Sequence, residues 1–374
     1  MTATEESTEI RFGEDLDLLA KSASDVMRDR CTLEAVRASA ATDTGYDEAL
    51  LAQIAELGFL GAALPERYGG AGLPAAALVA MAEPMGRYLY SGPFVASTLA
   101  GQLLSYIDDP ISQQTYLPQL ARGELLATPA LYEPDGSYDP LAIATTASRD
   151  AAGLLLSGTK TGVLDAANVG LLLVSALCDG EPAVVAVQRT SLPDGSITRE
   201  TLIDETRRSY RIVFDDTPAV RIGGDATQGL RFVHQLGALM MAADMSGGTI
   251  GSIDLTIDYL QTRTQFGRPI GSYQALKHPM VDIFVASEHG RSLLYHAATV
   301  FDGESRASEC AVRMAKAHCG STFTHAADRS IQFHGAIGFT YECHAQLFLR
   351  RAQWAEYQFG DTRHHRRNLQ ALLL

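Results

Sequence analysis

The sequence predicts an α+β protein whose helices and strands are segregated along the chain. Apolar residues recur at helical spacing near both ends, whereas the middle consists of short runs of Val, Leu, Ile and Thr broken by Asp, Gly and Pro. With 374 residues, the chain is also too long for one ordinary hydrophobic core. We therefore predict an N-terminal helical domain (1–124), a middle β-domain (125–225) and a C-terminal helical domain (226–374).

The N-terminal domain carries helical periodicity in separate segments. The candidate helices are FGEDLDLLAKSASDVMRDR (12–30), YDEALLAQIAELGFLGAAL (46–64), PAAALVAMAEPMGRYLY (74–90) and SGPFVASTLAGQLLSYI (91–107). After the second of these, the Pro/Gly-rich stretch PERYGGAGLP predicts a turn that ends the helix.

The middle and C-terminal domains differ in the length and type of their apolar patterns. The strand candidates of the middle domain are residues 127–134, 143–150, 153–164, 169–177, 182–190 and 207–222. The helix candidates of the C-terminal domain are residues 229–263, 272–303 and 308–335, with a shorter helix from about residue 345. Pro279 lies inside the second of these and marks either a first turn or a kink.

Charge and composition exclude several classes of function. The formal net charge of −14 opposes a general role on nucleic acid, because phosphate binding needs a basic face. No apolar run reaches the length of a membrane span, and the acidic N-terminus lacks signal-peptide features, so we expect a cytoplasmic protein without a membrane partner. The five cysteines are widely spaced without a CxxC pair, so we expect neither disulfides nor a metal site.

One stretch of the C-terminal domain, TRTQFGRPIGSYQALKH (262–278), begins as a helix, breaks and restarts near Tyr273. Arg263, Phe266 and Gly267 stand at the break. Two interpretations are open from these residues alone. Either the break is a packed corner in which Arg263 caps the C-terminal end of its helix, where cations are favoured, or it is a loop shaped to hold a ligand.

A second stretch, IQFHGAIGFTYE (331–342), combines polar side chains with small residues. Gln332 and His334 lie next to Gly335 and Gly338, and glycines let a backbone approach another group closely. The alternative is a glycine helix stop followed by a turn. A third stretch, ELGFLGAALPERYGGAGLP, lies in the N-terminal domain.

These three stretches together resemble the acyl-CoA dehydrogenase family, in the same order and over essentially the whole chain. The third looks like the family's N-terminal signature. RTQFGRPIGSYQ looks like its R-x-x-F-G-x-x-I-x-x-x-Q segment, and QFHGAIG looks like its Q-x-x-G-G-x-G segment with Ala336 in place of the second glycine. The resemblance implies a four-helix bundle for the C-terminal domain.

The resemblance also implies FAD. The family's R-x-x-F arginine binds the flavin pyrophosphate, and the matching residue is Arg263, whose guanidinium suits bidentate phosphate contacts. The Gln332 segment would line the same cofactor from a neighbouring subunit, so the protein is expected to be an oligomer. Ordinary bundle packing is the alternative for Phe266 and Gln274. The residues that the resemblance assigns to FAD are Arg263, Phe266, Gln274, Gln332, Gly335, Gly338 and Ser137.

The family's reaction needs an ionised carboxylate that removes the α-proton while a hydride leaves the β-carbon for the flavin. The two positions at which family members carry this glutamate match Phe359 and Gly237, and neither residue accepts a proton. The remaining candidate for the base is Asp244, in LMMAADMSGGTIG, which resembles an A-A-E-M-x-G segment of some bacterial members. The alternative is that Asp244 hydrogen-bonds a neighbouring helix or the N-terminal domain.

The middle domain departs from the family pattern at positions near the flavin. ALYEPDGSYDP keeps Ser137 but has Tyr132 at a threonine position. LSGTKTGVLDAANVG has Gly162 in place of a tryptophan that commonly packs near the flavin, and Leu164 in place of a threonine. Either the isoalloxazine ring is held differently, or this chain's own half of the flavin site is weak.

The resemblance predicts an FAD-dependent enzyme that introduces an α,β double bond into an acyl-CoA and passes electrons to an electron-transfer flavoprotein. Bulky acyl chains, including steroid side chains, fit this style of sequence. The assembly would be a homo-oligomer or a heterotetramer with a homologous subunit. One alternative is a catalytically incomplete subunit that lends Arg263 and the Gln332 segment to FAD bound mainly by a partner. Another is a flavin oxidase or monooxygenase of the same fold.

Overall fold

The computed structural model describes residues 13–149 and 153–374 and confirms the predicted order of helices, strands and helices. Residues 1–12 of the predicted N-terminal domain and residue 150 of a predicted strand lie outside the described residues. None of the described helices is both long enough and apolar enough to cross a bilayer. The N-terminal helices are α1 (Glu14–Arg30), α2 (Leu33–Ala40), α3 (Glu48–Glu56), α4 (Ala75–Arg87), α5 (Phe94–Tyr106) and α6 (Pro110–Ala121).

The N-terminal helices match the predicted segments at α1, α3, α4 and α5, whereas α2 and α6 were not predicted. Helix α3 also ends earlier than its apolar pattern suggests. Gly58 has a φ of 75°, in the left-handed region, so the chain turns after Glu56 and the following apolar residues pack as turns.

Among the described residues, seven strands of the middle domain form one sheet, and all the predicted strands are present. The strands are β1 (Ala127–Ala130), β2 (Thr146–Arg149), β3 (Leu154–Leu164), β4 (Leu171–Cys178), β5 (Glu181–Gln188), β6 (Ile197–Arg199) and β7 (Ser209–Ile222). Strand β6 was not predicted. The order β4-β2-β3-β7-β5 closes through a further β4–β5 pairing, so the sheet curls into a barrel around its own apolar core.

The C-terminal part is a helical bundle, as predicted. Its elements are α7 (Ala226–Thr262), the two-residue strands β8 (Thr264–Gln265) and β9 (Arg268–Pro269), α8 (Gln274–Val300), α9 (Arg306–His334), α10 (Ala345–Tyr357) and α11 (Thr362–Leu373). Helices α7 and α9 run parallel, since Thr256 bonds Ser330 and Tyr259 bonds His334 near their C-terminal ends. Helix α8 continues through Pro279.

The tail of the chain differs from its prediction, because the helix expected from about residue 345 is two helices. The backbone breaks between α10 and α11, where Phe359 has a φ of 56° and Gly360 a φ of 101°. Both values lie in a region that L-residues seldom adopt and that an α-helix cannot include. The break turns the Phe359 side chain into the protein, where it lies against Gly237 of α7.

Two glycines allow α4 and α7 to cross at backbone distance. A Cβ atom on Gly86 would lie 2.1 Å from the carbonyl oxygen of Asp244, and one on Gly247 would lie 1.8 Å from that of Glu83. No side chain fits at either position, so the N-terminal helices sit directly on the longest helix of the bundle. This crossing also buries Asp244 between the domains.

A buried arginine joins all three parts of the chain. The Arg351 guanidinium of α10 bonds Asp244 of α7 at 3.0 Å and Asp204 of the β6–β7 loop at 2.6 Å. It also donates to the backbone oxygens of Leu89 and Tyr90 after α4. Burial by itself lowers the pKa of Arg351, but the two carboxylates outweigh burial and raise it, so the guanidinium stays charged.

We expect Arg351→Met to lower the free energy of unfolding by about 3–5 kcal/mol, because it leaves the buried carboxylates of Asp204 and Asp244 without their shared cation. The measurement is the shift of the urea denaturation midpoint. Arg350→Met is the matched control, since it removes the neighbouring arginine from a surface pair with Glu205. Both side chains of this pair are partly exposed to solvent, so its loss should cost at most about 1 kcal/mol. Equal small losses in both variants would contradict the structural role of Arg351.

Candidate functional site

Arg263 lies at the end of α7, immediately before a tight hairpin. Its backbone N–H donates to Tyr259 at 2.9 Å, and its carbonyl accepts from Ile270 at 2.8 Å, so both sides of its peptide are fixed. The guanidinium itself is exposed. The side chain therefore projects from a rigid backbone and is accessible to a ligand or a second subunit.

The hairpin that follows Arg263 presents an aromatic side chain to solvent. Strands β8 and β9 are joined by Phe266 and Gly267, both with positive φ, as a two-residue type I′ turn requires. Phe266 is 92% exposed although its backbone is in a region unfavourable for aromatic residues. Tyr273 braces the turn, because its hydroxyl donates to Gln265 and its ring stacks under the Arg268 guanidinium at 4.1 Å.

The Gln332 segment lies at the same end of the bundle as Arg263. The ring of His334, the last residue of α9, stacks on Tyr259 of α7 at 4.2 Å. Gln274 begins α8 at this end as well. The structure thus brings together Arg263, Phe266, Gln274, Gln332, Gly335 and Gly338, and we refer to residues 263–274 and 332–338 as the Arg263 end.

The two glycines of this segment have different roles. Gly335 has a φ of 68° and ends α9, and a Cβ atom there would meet no other group within 4 Å. The space on this side of Gly335 is open. Gly338 instead is buried, and a Cβ atom there would lie 2.4 Å from the carbonyl oxygen of Ile331. Gly338 therefore serves the packing of the turn.

Ser137 lies elsewhere, in the loop after β1 of the β-domain. Its backbone N–H donates to Asp135, its hydroxyl accepts from the backbone N–H of Asp139, and the neighbouring Tyr138 ring lies 5.1 Å from His364 of α11. This places Ser137 near the Phe359 end of α7. Residues 237–262 of α7 span about 38 Å at the helical rise per residue, which is longer than an extended FAD molecule. One FAD cannot reach both groups of candidates within one chain.

The region around Phe359 is the β-domain half of the predicted flavin site, and it is filled. It is lined by Ala96, Leu99, Thr128, Pro129, Leu131, Tyr132, Gly162, Leu164, Gln358 and Phe359, around a cavity of about 20 Å³. Such a volume holds about one water molecule. Of the residues that match the family's flavin-facing positions, Tyr132 meets the Phe359 ring edge-on, and Gly162 and Leu164 line the same cavity, whose volume is too small for a flavin ring. A Cβ atom on Gly162 would meet no other group within 4 Å, so the space beside this glycine is open.

Tyr132 and His234 form a buried polar pair beside this ring. The Tyr132 hydroxyl and His234 Nδ1 are hydrogen-bonded at 3.0 Å, and both rings lie edge-on to Phe359 at centroid distances of 6.0 Å. Burial, followed by the charge of Arg313, lowers the pKa of His234 to about 3, so the imidazole is neutral. Sequence reasoning did not single out His234, because a lone histidine on a helix carries no motif.

Asp244 lies in the buried cluster around Arg351. One carboxylate oxygen accepts from Arg351 at 3.0 Å and from Arg207 at 2.8 Å, and the residue is 2% exposed. The lining of the Phe359 region does not include Asp244. Asp244 was interpreted either as the catalytic base or as a structural acid that hydrogen-bonds a neighbouring element. The contacts with Arg351 and Arg207 favour the structural interpretation. The described residues also contain no group of acidic, histidine or cysteine side chains arranged to hold a metal ion.

Asp244→Asn separates the two interpretations. A catalytic base would lose acyl-CoA-dependent flavin reduction in a variant of unchanged stability. Measured in an assembly of this chain that shows such reduction, we expect the reverse. The unfolding free energy falls by about 3–5 kcal/mol while flavin reduction per folded molecule is unchanged, because two buried arginines lose a carboxylate. Asp254→Asn on the same helix is the control, since its pair with Arg87 is at the surface. A stable but inactive Asp244→Asn protein would restore Asp244 as the base.

Comparison with known proteins agrees with the arrangement of domains. Residues 13–124 match the model described as acyl-CoA dehydrogenase, N-terminal domain, and residues 233–374 match that described as acyl-CoA dehydrogenase, C-terminal domain. The chain is 29% identical over 362 residues to acyl-CoA dehydrogenase IpdE2 of Mycolicibacterium smegmatis. That match covers 96% of this chain and 99% of the relative.

Solved structures show the same similarity. A variant of the Tcur3481-Tcur3483 steroid ACAD superposes with a TM-score of 0.86 at 28% identity, covering 97% of this chain and 98% of the other. A chain of the ChsE4-ChsE5 complex from Mycobacterium tuberculosis shares the fold, with a TM-score of 0.86 at 23% identity and coverage of 97% and 99%. From its matched domains and its fold, the chain belongs to the acyl-CoA dehydrogenase family.

Proposed function

We propose that this chain acts in the FAD-dependent α,β-dehydrogenation of an acyl-CoA thioester as the base-lacking subunit of a heteromeric acyl-CoA dehydrogenase. The observation that carries the proposal is the contact between Phe359 and Gly237. These residues occupy both positions at which family members carry the catalytic glutamate, and they fill the space between them. A homologous partner would supply the carboxylate.

The chemistry explains why this contact matters. Removal of an α-proton needs a carboxylate within hydrogen-bond reach of the α-carbon, and neither a phenyl ring nor a glycine can accept a proton. Glu356, the nearest acidic residue along α10, accepts from the backbone N–H of Thr362 at 2.7 Å and caps α11. His234 is neutral and bonded to Tyr132, which occupies the nitrogen that faces this region.

The Arg263 end supports FAD binding. FAD would accept the hydride, and here it would be held through its pyrophosphate by the exposed guanidinium of Arg263, a strong donor to phosphate oxygens. Phe266, exposed on its rigid turn, would cover the nucleotide part. Gln274 and Gln332 would add hydrogen bonds, and the space that a side chain at Gly335 would occupy is open.

The distance along α7 supports an assembly of subunits. A flavin held at the Arg263 end needs a β-domain to hold its ring, and the chain's own β-domain half lies about 38 Å away. That half is also filled by Phe359. A different, homologous chain with an open half-site meets both requirements. The ChsE4-ChsE5 complex, which shares this fold, is by its name a complex of two different proteins.

The substrate that we propose is an acyl-CoA with a bulky, steroid-type acyl chain. The support is the 28% identity, over nearly all of both chains, to a protein named as a steroid ACAD. We propose electron-transfer flavoprotein as the electron acceptor. Ser137 would contact a cofactor only in a chain whose β-domain half is open.

Purification alone and with a partner tests the proposal. We expect the chain by itself to show no bleaching of flavin absorbance with any acyl-CoA. Co-expression with a homologous acyl-CoA dehydrogenase encoded beside it should give a yellow complex that a steroid-type acyl-CoA bleaches. A yellow homo-oligomer of this chain that is bleached by an acyl-CoA would overturn the proposal.

Within such a complex, Arg263→Gln should weaken FAD binding about tenfold to a hundredfold, since a charged hydrogen bond to phosphate is worth about 1.5–3 kcal/mol. The measurement is retention of flavin absorbance during dialysis, followed by titration of the stripped complex with FAD. Arg329→Gln is the control, because Arg329 lies on the last turns of α9 and is already paired with Asp328 at 2.6 Å. Equal retention of FAD in both variants would rule out Arg263 as the pyrophosphate ligand.

A further inference from the structure

The Phe359 side chain is complementary in shape to the surface of α7 at Gly237. The ring lies over Gly237, where a Cβ atom would be only 2.4–2.6 Å from three of the ring carbons. Any other residue at position 237, including the glutamate of some family members, would collide with the ring. The two changes from the family pattern are therefore one structural unit, since the ring needs the glycine to enter.

The backbone of the Phe359 loop is held in an unfavourable conformation. Phenylalanine with a φ of 56° is strained, so surrounding contacts have to maintain it. The Phe359 carbonyl accepts from His365 Nε2 at 3.0 Å, and the Gly360 carbonyl accepts from Lys316 Nζ at 2.9 Å. Neither bond needs the side chain of residue 359.

Lys316 is the principal anchor of this loop. It is fully buried on α9, and its ammonium donates to the carbonyls of Ala355, Glu356 and Gly360. Burial lowers the pKa of Lys316 to about 8, while the nearby carboxylates of Glu356 and Asp361 oppose this shift. The amine thus ties the end of α10 to α9 and fixes where the Phe359 ring points.

A hydrogen bond from the β-domain closes the region around the Phe359 ring from the other side. Tyr132 follows β1, and its bond to His234 of α7 joins the β-domain to the bundle across the Phe359 ring. Burial raises the pKa of the Tyr132 hydroxyl well above its usual value, so it stays protonated and keeps the bond. Gly162 and Leu164 line the remaining 20 Å³.

We propose that Phe359 is a plug that excludes a flavin ring from this chain's own β-domain half, so that the chain takes part in flavin binding only through its Arg263 end. The proposal rests on the proposed function and deepens it. The chain lacks the base because Phe359 stands at a glutamate position, and the same residue would also decide whether a flavin binds. The proposal therefore predicts one flavin for each pair of unlike chains.

Riboflavin is the probe that tests the plug, because it carries the flavin ring without the pyrophosphate and so does not depend on Arg263. Quenching of riboflavin fluorescence by the full chain is measured for the wild type, Phe359→Ala and Phe359→Leu. We expect saturable binding by Phe359→Ala, and no saturation of the wild type at riboflavin concentrations up to about ten times the dissociation constant of the variant. Phe359→Leu keeps an apolar side chain, and we expect intermediate binding.

The chain offers a matched control in Phe323. Its ring packs on Gly248 of the same helix α7, where a Cβ atom would lie 2.4 Å from the ring, but it lies inside the bundle away from the β-domain. Phe323→Leu should lower the melting temperature about as much as Phe359→Leu and leave riboflavin binding as in the wild type. Equal gains in both variants would show that general loosening admits the flavin and would overturn the plug.

Two further results of the riboflavin measurement would overturn the plug. A folded Phe359→Ala protein, by circular dichroism, that binds riboflavin no better than the wild type overturns the plug, as does a wild-type chain that binds it equally well. If Phe359→Ala fails to fold, the same comparison is made with Phe359→Leu. The proposed function fails on a different observation, bleaching of the isolated wild-type chain by an acyl-CoA. In the assembled complex, Phe359→Ala should raise the ratio of FAD to paired chains from one toward two.

Discussion

The position of helix α10 is the constraint on which the rest of the site depends, and Arg351 sets it. This single guanidinium reaches the bundle through Asp244, the β-domain through Asp204 and the N-terminal domain through two backbone carbonyls. A buried ion pair is a weak source of net stability, but breaking one is costly, so such a cluster fixes geometry more than it adds free energy. Arg351 holds α10 within its length and Lys316 holds its C-terminal end, and together they direct the Phe359 ring onto Gly237 of α7.

Much of the fold could be predicted from the sequence, because long helices and short strands leave periodic patterns. The helices α7, α8 and α9 and six of the strands coincide with predicted segments. Asp244 shows where that reasoning stops. An acidic residue within an apolar stretch signals a partner or a function, but the partners Arg207 and Arg351 lie 37 and 107 residues away. Nothing in the local sequence distinguishes a buried ion pair from a catalytic base.

The closed half of the site shows a different limit of sequence reasoning. From motifs alone, Phe359 and Gly237 are two separate positions at which the family's catalytic glutamate is absent, and nothing connects them. The structure shows that they are in contact and complementary in shape. The break that makes this possible was not predicted, although Gly360 followed by Asp361 is a signal for a helix stop and a new N-cap. The positive φ of Phe359 itself carries no such signal, because it is rare for phenylalanine. By contrast, Arg263 and Phe266 were assigned through the resemblance of their stretch to the family's R-x-x-F-G segment, and their role in binding FAD stays a prediction.

Under the proposed function, the geometry of α7 explains how one chain would keep flavin binding at one end and lose a catalytic centre at the other. The two ends are about 38 Å apart, and energetic effects of substitutions at that separation are independent in general. Replacing a glutamate by a phenyl ring near Gly237 therefore need not disturb the guanidinium at Arg263. In an assembly where each flavin lies between two chains, such independence lets a chain become a specialised donor of a phosphate-binding end. The net charge of −14 fits this division, since the positive charge needed for a pyrophosphate is local.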